Sequence, residues 1–442
     1  MPNLFALIAI SCWPLVSIIL FKKLDIERAV ILTVISGYLL LPVRVSIDFP
    51  LIPPINKGSI ISLSLLIGCL IIKKFPLKII PTHGAERTLI LILLTIPLIS
   101  TVTNSEAFYN GEYWIQGLSY HDAISEIISK YLSLIPLIVS LQVLKTETAQ
   151  RKLFLILSLS GLMYSLPILF EIRMSPQLHT WFYGFFPHTF AQTYRDGGFR
   201  AVVFLGHGLL VAMFIATSLG SASTLWKAKI KIWGIPAIYP TLFLLLILLL
   251  SKTLGALILG SILLITTIWF SSKARMYIAS AFMSIVILYP ILSILSIFPH
   301  KELIDLIATF NPQRADSLSF RFYHEAILLD HAYEKIIFGW GGWGRNRFYD
   351  SVTDGFWIIT LGISGIVGFI ATFGLGFVSI FRSIKSLKLC TSEQTHLFMS
   401  VHMLIVSIVM IDQIPNASFN SLSMLLIGTL LGRCTFIQQH YK

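Results

Sequence analysis

A polar segment, residues 314–354, carries the residue types in this chain that are best suited to chemistry. Apolar runs flank it on both sides, and within it arginines, two tryptophans and several carboxylates lie close together in sequence. Arginine binds phosphate oxygens in a bidentate geometry, tryptophan stacks on rings, and a carboxylate can accept a proton. This combination predicts a site for an anionic substrate that contains rings.

A helix is predicted in the first half of this segment. It would begin after Asp316 or Ser317, which are favourable N-cap residues. Its apolar face would hold Leu318, Phe322, Leu329, Tyr333 and Ile336. Arg321 and Glu325 border that face, so a helix lying on the membrane surface would hold both at the mouth of a cavity. The alternative is an ordinary i,i+4 ion pair, worth about 0.3–0.5 kcal/mol.

A glycine-rich stretch, FGWGGWG, follows at residues 338–344. Its glycines would let the backbone approach a ligand closely. Trp340 and Trp343 can stack on sugar rings, and Arg345 and Arg347 can bind phosphate oxygens. The alternative is a glycine-rich turn whose tryptophans lie at the lipid interface.

Asp354 stands where the chain is predicted to re-enter the membrane. A carboxylate at such a boundary, close to arginines, is in a setting that suits a general base. The alternative, which is compatible with the first, is that Thr353 or Asp354 caps the next membrane helix.

A second group of candidates lies earlier in the chain. Arg200 precedes an apolar run, and an arginine at the mouth of a span can neutralise a lipid-linked diphosphate. His207, a candidate sugar contact, lies two turns inside the predicted span, where a hydrogen-bonded histidine is more typical than a base or a ligand contact. Lys252 would either contact phosphate or extend its ammonium group to the membrane surface. Asp412 ends a later span on the same side, where a buried acid is a functional candidate.

The elements that must position these residues are membrane helices. The chain has 442 residues, of which 55% are hydrophobic and 12% charged, whereas soluble domains carry roughly 25% charged residues. An all-α polytopic membrane protein of about 12–13 transmembrane helices is predicted, with a surface helix in its large polar loop. The spans are predicted at residues 3–20, 29–43, 59–72, 88–102, 127–144, 153–170, 201–219, 235–251, 254–270, 276–298, 356–381, 397–412 and 420–436.

The distribution of positive charge predicts an orientation. With the N-terminus outside, the inside loops hold 20 of the 33 lysines and arginines but only five carboxylates, as the positive-inside rule expects. The net charge of +12 is therefore read as cytoplasmic anchoring rather than as a nucleic-acid surface. Nine other basic residues lie in two outside loops, 171–200 and 299–355, where anchoring does not explain them.

The chain is accordingly divided into four parts: transmembrane helices at 1–152, further transmembrane helices at 153–298 with an outside loop at 171–200, the large loop at 299–355, and C-terminal transmembrane helices at 356–442. None of the four cysteines lies in the polar segment, and neither a metal site nor a cofactor is predicted. The first apolar run ends in Phe21-Lys22-Lys23 rather than in a cleavage site.

Residues 170–370 resemble the O-antigen ligase and polymerase superfamily of bacterial inner-membrane glycosyltransferases. The segments that carry the resemblance are FRAVVFLGHG, SKTLGAL, Arg314-Ala-Asp-Ser-Leu with Arg321 and Glu325, FGWGGWG, and Thr353-Asp-Gly-Phe-Trp with Leu361-Gly. The resemblance implies a GT-C-like helical enzyme that transfers a glycan from undecaprenyl diphosphate to an acceptor hydroxyl on the periplasmic face. The acceptor is lipid A-core for ligases and another lipid-linked repeat unit for polymerases.

The resemblance also implies roles for individual residues. Arg200 and Arg321 would contact the diphosphate, with Arg314 or Arg345 assisting. The ligases carry a His-Asn pair near the end of the large loop, whereas this chain has Thr353-Asp354 there. That difference favours the polymerase branch, with Asp354 or Glu325 as the base, although His324 or His331 could substitute.

Two other classes of function compete with the transferase. A transporter or flippase of a lipid-linked or anionic solute would place its charges near the bilayer midplane and would often show inverted repeats, which are not visible here. A structural partner of a polysaccharide assembly is the third possibility. For the polymerase, the partners implied are the lipid-linked oligosaccharide, an acceptor glycan or lipid, and a chain-length regulator.

Overall fold

The protein is an all-α polytopic membrane protein. Its structure, a computed structural model, describes residues 1–49, 52–82, 84–195 and 197–440. Within these ranges, nine helices are long and apolar enough to cross a membrane, and three shorter apolar helices accompany them. Each of the thirteen predicted spans overlaps a helix. The helices concerned are α1 (Leu4–Lys23), α2 (Ile26–Leu40), α3 (Lys57–Leu66, continued by a π-helical turn at Ile67–Ile72), α4 (Ala85–Thr103), α5 (Tyr120–Val143), α6 (Glu147–Met174), α8 (Gly208–Lys227), α9 (Ile238–Leu250), α10 (Leu254–Trp269), α11 (Ser272–Ile294), α14 (Phe356–Leu387), α15 (Glu393–Ile411) and α16 (Ser421–His440).

Short elements fill the connections. Three helices lie outside the predicted spans, namely α7 (Leu178–Tyr183), α12 (His300–Phe310) and α13 (Pro312–Tyr333), and a 3₁₀ turn spans Phe190–Thr193. Four two-stranded antiparallel hairpins pair β1 (Ser46–Ile47) with β2 (Ile55–Asn56), β3 (Phe108–Tyr109) with β4 (Trp114–Ile115), β5 (Tyr194–Arg195) with β6 (Gly198–Phe199), and β7 (Lys231–Ile232) with β8 (Ile235–Pro236). The helix expected in the large loop is α13.

The bundle is held by close helix packing. Helix α16 lies against α5, and Gly428 and Gly432 on α16 leave no room for a Cβ against the carbonyls of Leu137 and Leu141. Small residues four apart let two membrane helices approach to backbone contact, which compensates for the missing hydrophobic drive between helices in lipid. Helix α8, nearly all of whose residues are buried, occupies the interior of the bundle.

Helix α14 is interrupted at Gly365, which has φ 63° and ψ −169°. The interruption leaves backbone carbonyl and N–H groups of α14 without partners inside the helix. The segment that precedes α14 in the chain forms hydrogen bonds with them. Trp340 and Gly341 donate their N–H groups to the carbonyls of Gly362 and Ile363, at 2.8 and 2.9 Å. The N–H of Ile366 in turn donates to a carbonyl of the same segment. The glycine-rich stretch is therefore packed against the middle of a membrane helix.

Gly365→Ala should lower the free energy of unfolding by at least about 1–3 kcal/mol, because alanine would carry a strained φ and its Cβ would clash with the carbonyl of Ile337. The measurement is the temperature at which the detergent-solubilised protein loses its monodisperse elution. Gly255→Ala is the control, since a Cβ there meets open space. An unchanged midpoint for Gly365→Ala would show that the pairing does not hold α14.

Three local predictions from the sequence are wrong. Helix α13 begins earlier than expected, because Asn311 caps it through its side chain and Pro312 occupies the first turn. Helix α14 starts after Gly355, which makes no side-chain cap, so neither Thr353 nor Asp354 has that role. Helix α8 starts at Gly208, so His207 is its N-cap and does not lie two turns inside it.

The late start of α8 has a physical cause in the preceding segment. Glu171 accepts the backbone N–H groups of Val202 and Val203 on one carboxylate oxygen, at 2.8 and 2.7 Å, and that of Leu178 on the other, at 3.0 Å. These bonds hold residues 200–206 in a non-helical path, which a hydropathy pattern cannot reveal.

Candidate functional site

Several loops meet at one end of the bundle, which we call the loop end and define as residues 175–207, 251–253, 295–355 and 412–420. Side chains join them directly. Arg200 contacts Thr253, Lys252 contacts Arg195, and the backbone of Phe356 donates to Gln413 and Asn416. The candidates that lay far apart in sequence therefore share one region.

A cavity of about 210 Å³ opens beneath α13 at this end. Helix α13 presents Arg321 and Glu325 to it, one turn apart, and Asp354 contributes from the start of α14. Tyr289 of α11 and Phe298 complete the wall beside them. Three side chains proposed from sequence for diphosphate and proton chemistry thus line a single space.

Arg321 pairs with Asp354 rather than with Glu325. Its Nε lies 3.4 Å from Asp354 Oδ2, and the two side chains are 31% and 42% exposed. An ion pair at this exposure contributes only about 0–1 kcal/mol. A ligand phosphate could therefore take the place of Asp354 at little cost to the fold.

Glu325 lies deeper in the same cavity. Its Oε1 accepts hydrogen bonds from the Tyr289 hydroxyl at 2.7 Å and the Ser293 hydroxyl at 3.0 Å. Burial raises the pKa of Glu325, and the hydrogen bonds from Tyr289 and Ser293 offset part of that rise. A buried carboxyl group with a raised pKa can exchange a proton closer to neutral pH.

His300 is a site residue that the sequence analysis missed. Its Nε2 lies 3.8 Å from Glu325 Oε1, and its ring packs against Phe298 and Phe322. Burial lowers the pKa of His300, so the neutral ring is favoured. The available signal was the amphipathic stretch 300–310, which forms α12 and begins with this histidine. Tyr289, inside an apolar span, gave no such signal.

Arg200 follows β6 directly and is only 4% exposed. Its Nε donates to the hydroxyl of Thr253 at 3.1 Å, and among the described residues it forms no ion pair. Burial, with smaller contributions from the positive charges of Arg195, Arg321 and Arg314, lowers the pKa of Arg200 to about 10. The charges of these three arginines therefore act on Arg200, and a bound anion would favour its charged form.

Lys252 supports the β5–β6 hairpin. It has a positive φ of 50°, and its Nζ donates to the carbonyl of Arg195 at 3.1 Å. The next residue, Thr253, receives the hydrogen bond from Arg200. The Ser-Lys-Thr turn between α9 and α10 thus orients the arginine side of the site.

Asp412 lies behind this cluster at the end of α15. Its carboxylate accepts hydrogen bonds from Asn416 and Ser418, at 2.8 and 2.7 Å. Burial raises the pKa of Asp412, while these two hydrogen bonds and the positive charge of Arg321 act in the opposite direction. Asp412 is therefore a buried carboxyl group close enough to Arg321 for the two to interact.

Two candidates from the glycine-rich stretch point away from this cavity. Arg345 is 1% exposed and donates to the carbonyls of Trp340, Gln116 and Glu106, at 3.3, 2.6 and 3.1 Å. Trp340 is 6% exposed, stacks on His331 and donates its indole N–H to the carbonyl of the same histidine. Both side chains use their binding groups on the protein itself.

The remaining sugar-binding candidates are also separate from the cavity. Trp343 is exposed and lies in a shallow cleft with Asp122 and Glu126. His207 accepts the N–H of Leu209 at 3.1 Å as the N-cap of α8. Burial, together with the nearby positive charge of Arg200, lowers the pKa of His207 to about 3, so its ring is neutral.

We expect Arg345→Ala to lower the free energy of unfolding by about 2–4 kcal/mol, because a buried guanidinium that donates to three carbonyls is lost. Arg347→Ala, at an exposed position two residues away, is the matched control and should change little. Both are measured without substrate by thermal unfolding in detergent. If the two variants have equal unfolding midpoints, the carbonyl contacts of Arg345 do not stabilise the fold, and Arg345 is again a candidate ligand contact.

The loop end combines an arginine cluster that attracts anions with a buried carboxyl group that can take up a proton. Such a site can bind a phosphate-bearing substrate and activate a hydroxyl group next to it. Neither a comparison with protein-family models nor one with curated proteins finds a match to this chain.

Proposed function

We propose that this protein is a membrane glycosyltransferase that moves a glycan from undecaprenyl diphosphate to an acceptor sugar hydroxyl, most consistently as a polymerase of polysaccharide repeat units. The observation that carries the proposal is that Arg321 and Glu325 line one cavity at the loop end. Arg200 and Arg314 are nearby, since the charges of Arg314 and Arg321 both lower the pKa of Arg200.

The donor would bind through its diphosphate. When the glycosyl bond breaks, the electron pair stays with the diphosphate oxygen, so negative charge grows there in the transition state. Arg321 and Arg200 are placed to bind that charge, and groups already oriented for a developing charge contribute most to catalysis of this kind. The weak pairing of Arg321 with Asp354 keeps the guanidinium oriented until the donor arrives.

The acceptor would lose its proton to Glu325. The acceptor oxygen forms a bond to the anomeric carbon, the bond from that carbon to the diphosphate breaks, and the hydroxyl proton passes to the Glu325 carboxylate. Tyr289 and Ser293 hold this carboxylate in place. Asp354 is the alternative base, since it lies on the other side of Arg321 and is more exposed.

The charge distribution of the sequence supports a periplasmic location of the loop end in the bacterial inner membrane. The loops on the opposite side of the predicted topology are all basic, as cytoplasmic loops are. In this orientation the arginines of the loop end stand on the side where the anchoring rule expects few basic residues, which fits a role in substrate binding.

The test is incubation of the purified protein with undecaprenyl-diphosphate-linked repeat units. The polymerase should produce longer lipid-linked glycans and release undecaprenyl diphosphate. An intact protein that produces neither, with or without lipid A-core, would overturn the proposal and leave transport of a lipid-linked solute as the next candidate.

Ligation to lipid A-core is the second candidate, and His300 is the observation in its favour. The sequence lacks a histidine at the position where ligases carry one, but the Nε2 atom of His300 lies 3.8 Å from Glu325 Oε1. If product forms only when lipid A-core is added, and His300→Ala abolishes it, the ligase assignment replaces the polymerase.

A further inference from the structure

A second and larger cavity, of about 500 Å³, lies between helices of the bundle. Helices α3, α5 and α14 and residues 417–421 surround it. None of the site candidates discussed above lines it. It is separated from the Arg321 cavity by residues 354–360, at the start of α14. Asp354, Gly355 and Ile358 line the first cavity, whereas Phe356, Ile359 and Thr360 line the second.

Lys57, at the start of α3, is the residue of interest on this wall. Its Nζ donates to the backbone carbonyls of Leu41 and Phe204, at 2.7 and 3.2 Å, and it lies 5.6 Å from the ring centre of Tyr38. Among the residues that the structure describes, no carboxylate forms an ion pair with it. An ammonium group has three protons, so these two carbonyls leave one donor for another partner.

The charged side chains that line this cavity are all basic. Among the described residues, the lining includes Lys57 and Lys130 but no aspartate or glutamate. Lys130 already pairs with Glu126, at 3.7 Å on the same helix. The charge of Lys57 is therefore the one that the cavity wall does not balance.

The rest of the lining is divided between polar and apolar groups. Hydroxyl and amide side chains come from Asn56, Ser59, Ser133, Thr360 and Asn420. Apolar surface comes from Leu93, Ile359, Phe356, Phe419 and Met424. A space of this kind suits a ligand that has an anionic head and an apolar or sugar-like remainder.

We propose that this cavity binds a phosphate-bearing ligand through the ammonium group of Lys57, at a site separate from the arginine cluster. A charged side chain inside a membrane protein is costly unless it is paired or serves a ligand. Backbone carbonyls supply only partial negative charge, and a phosphate supplies a full one in surroundings where charges interact strongly. The cavity has the volume and hydrogen-bonding groups to hold more than an isolated ion.

This inference does not depend on the proposed glycosyl transfer, since it rests on the second cavity alone. If both hold, the two anion sites lie on opposite faces of the first turn of α14, which would place two phosphate-bearing molecules side by side. The two proposals can fail independently, because the Lys57 site is tested by ligand binding and the proposed glycosyl transfer is tested by product formation.

Two probes test the proposal on the full-length protein in a non-ionic detergent. They are phosphatidic acid, which is a lipid with a phosphate head, and inorganic phosphate. Binding is measured by native mass spectrometry for the lipid and by displacement of that lipid for inorganic phosphate. We expect the unaltered protein to bind phosphatidic acid, and Lys57→Gln to weaken that binding roughly tenfold or more, as expected for loss of a charge-assisted contact.

Matched variants separate this site from general charge. Lys130→Gln, on the same wall but already paired, and Lys231→Gln, exposed in the β7–β8 hairpin, should each change binding less than threefold. Arg321→Ala should leave Lys57-dependent binding in place. If inorganic phosphate displaces the lipid, the phosphate group alone is sufficient for binding. If it does not, the site binds a lipid that carries the phosphate.

Ser59→Asp provides a second route if Lys57→Gln does not fold. Ser59 accepts the backbone N–H of Asn56 in a capping box at the start of α3, and aspartate can do the same. The variant therefore adds a negative charge to the cavity while keeping the cap, and it should also reduce binding. Undiminished binding in Lys57→Gln or in Ser59→Asp, or no binding by the unaltered protein, would overturn the proposal.

Discussion

Arg321→Ala should reduce glycan transfer by about 10²–10³-fold, the loss typical when one preorganised donor to a developing charge is removed. Arg321 faces the cavity beside Glu325, and its present partner, Asp354, holds it only weakly. The fold should survive the change, because an exposed ion pair contributes about 0–1 kcal/mol. The measurement is the initial rate of release of undecaprenyl diphosphate.

The design of this experiment distinguishes charge from geometry. Arg321→Lys keeps the charge but loses the bidentate fork, so it should recover only part of the rate. Arg347→Ala, exposed and outside the cavity, is the control and should retain the full rate. If Arg321→Ala transfers glycan as fast as Arg347→Ala, the arginine cluster does not bind the donor in the reaction.

Glu325→Gln should reduce transfer by about 10²–10⁴-fold, which is the usual contribution of a positioned general base. Glutamine has nearly the same shape and can still accept hydrogen bonds from Tyr289 and Ser293, so the cavity should remain intact. Asp354→Asn is the matched comparison, since it removes the other carboxylate near Arg321. Loss of activity in Asp354→Asn alone would assign the base to Asp354.

The pH dependence of transfer provides a separate test of Glu325. Its carboxylate is the active form, and burial raises its pKa above the ordinary value for glutamate. Activity should therefore be full well above that raised pKa and fall as the pH decreases through it, at a higher pH than an ordinary glutamate would give. This acid limb should disappear from the residual activity of Glu325→Gln. If the loss of activity at low pH persists in Glu325→Gln, it is caused by the titration of another group.

The positions of the membrane helices could be predicted from the sequence because hydropathy is local. Each predicted span overlaps a helix, and the surface helix expected in the large loop is α13. Ends and caps were less predictable, because tertiary contacts set them. The α8 boundary depends on Glu171, about thirty residues earlier, whose carboxylate holds Val202 and Val203 outside the helix.

The glycine-rich stretch illustrates what composition alone could not decide. Its glycines and aromatic residues fit a sugar-binding loop and a packed turn equally well. In the structure, Gly339 and Gly341 lie against α14 at its interruption, and Trp340 is enclosed. The partners of Arg345 are carbonyls at Glu106 and Gln116, more than two hundred residues away in the chain. No spacing rule connects positions so far apart.

Apolar runs and charge asymmetry are properties of neighbouring residues, so they are enough to predict a polytopic helical membrane protein with an arginine- and carboxylate-rich loop. Which of those side chains face a common space depends on tertiary contacts. Arg321, Glu325 and Asp354 line one cavity, Arg345 and Trp340 turn inward, and Lys57, unremarked in the sequence, lines another. Helix packing brings distant segments together, and this sets how deeply each charged group is buried and which hydrogen bonds it makes. Burial and hydrogen bonds in turn control whether that group is available to a ligand.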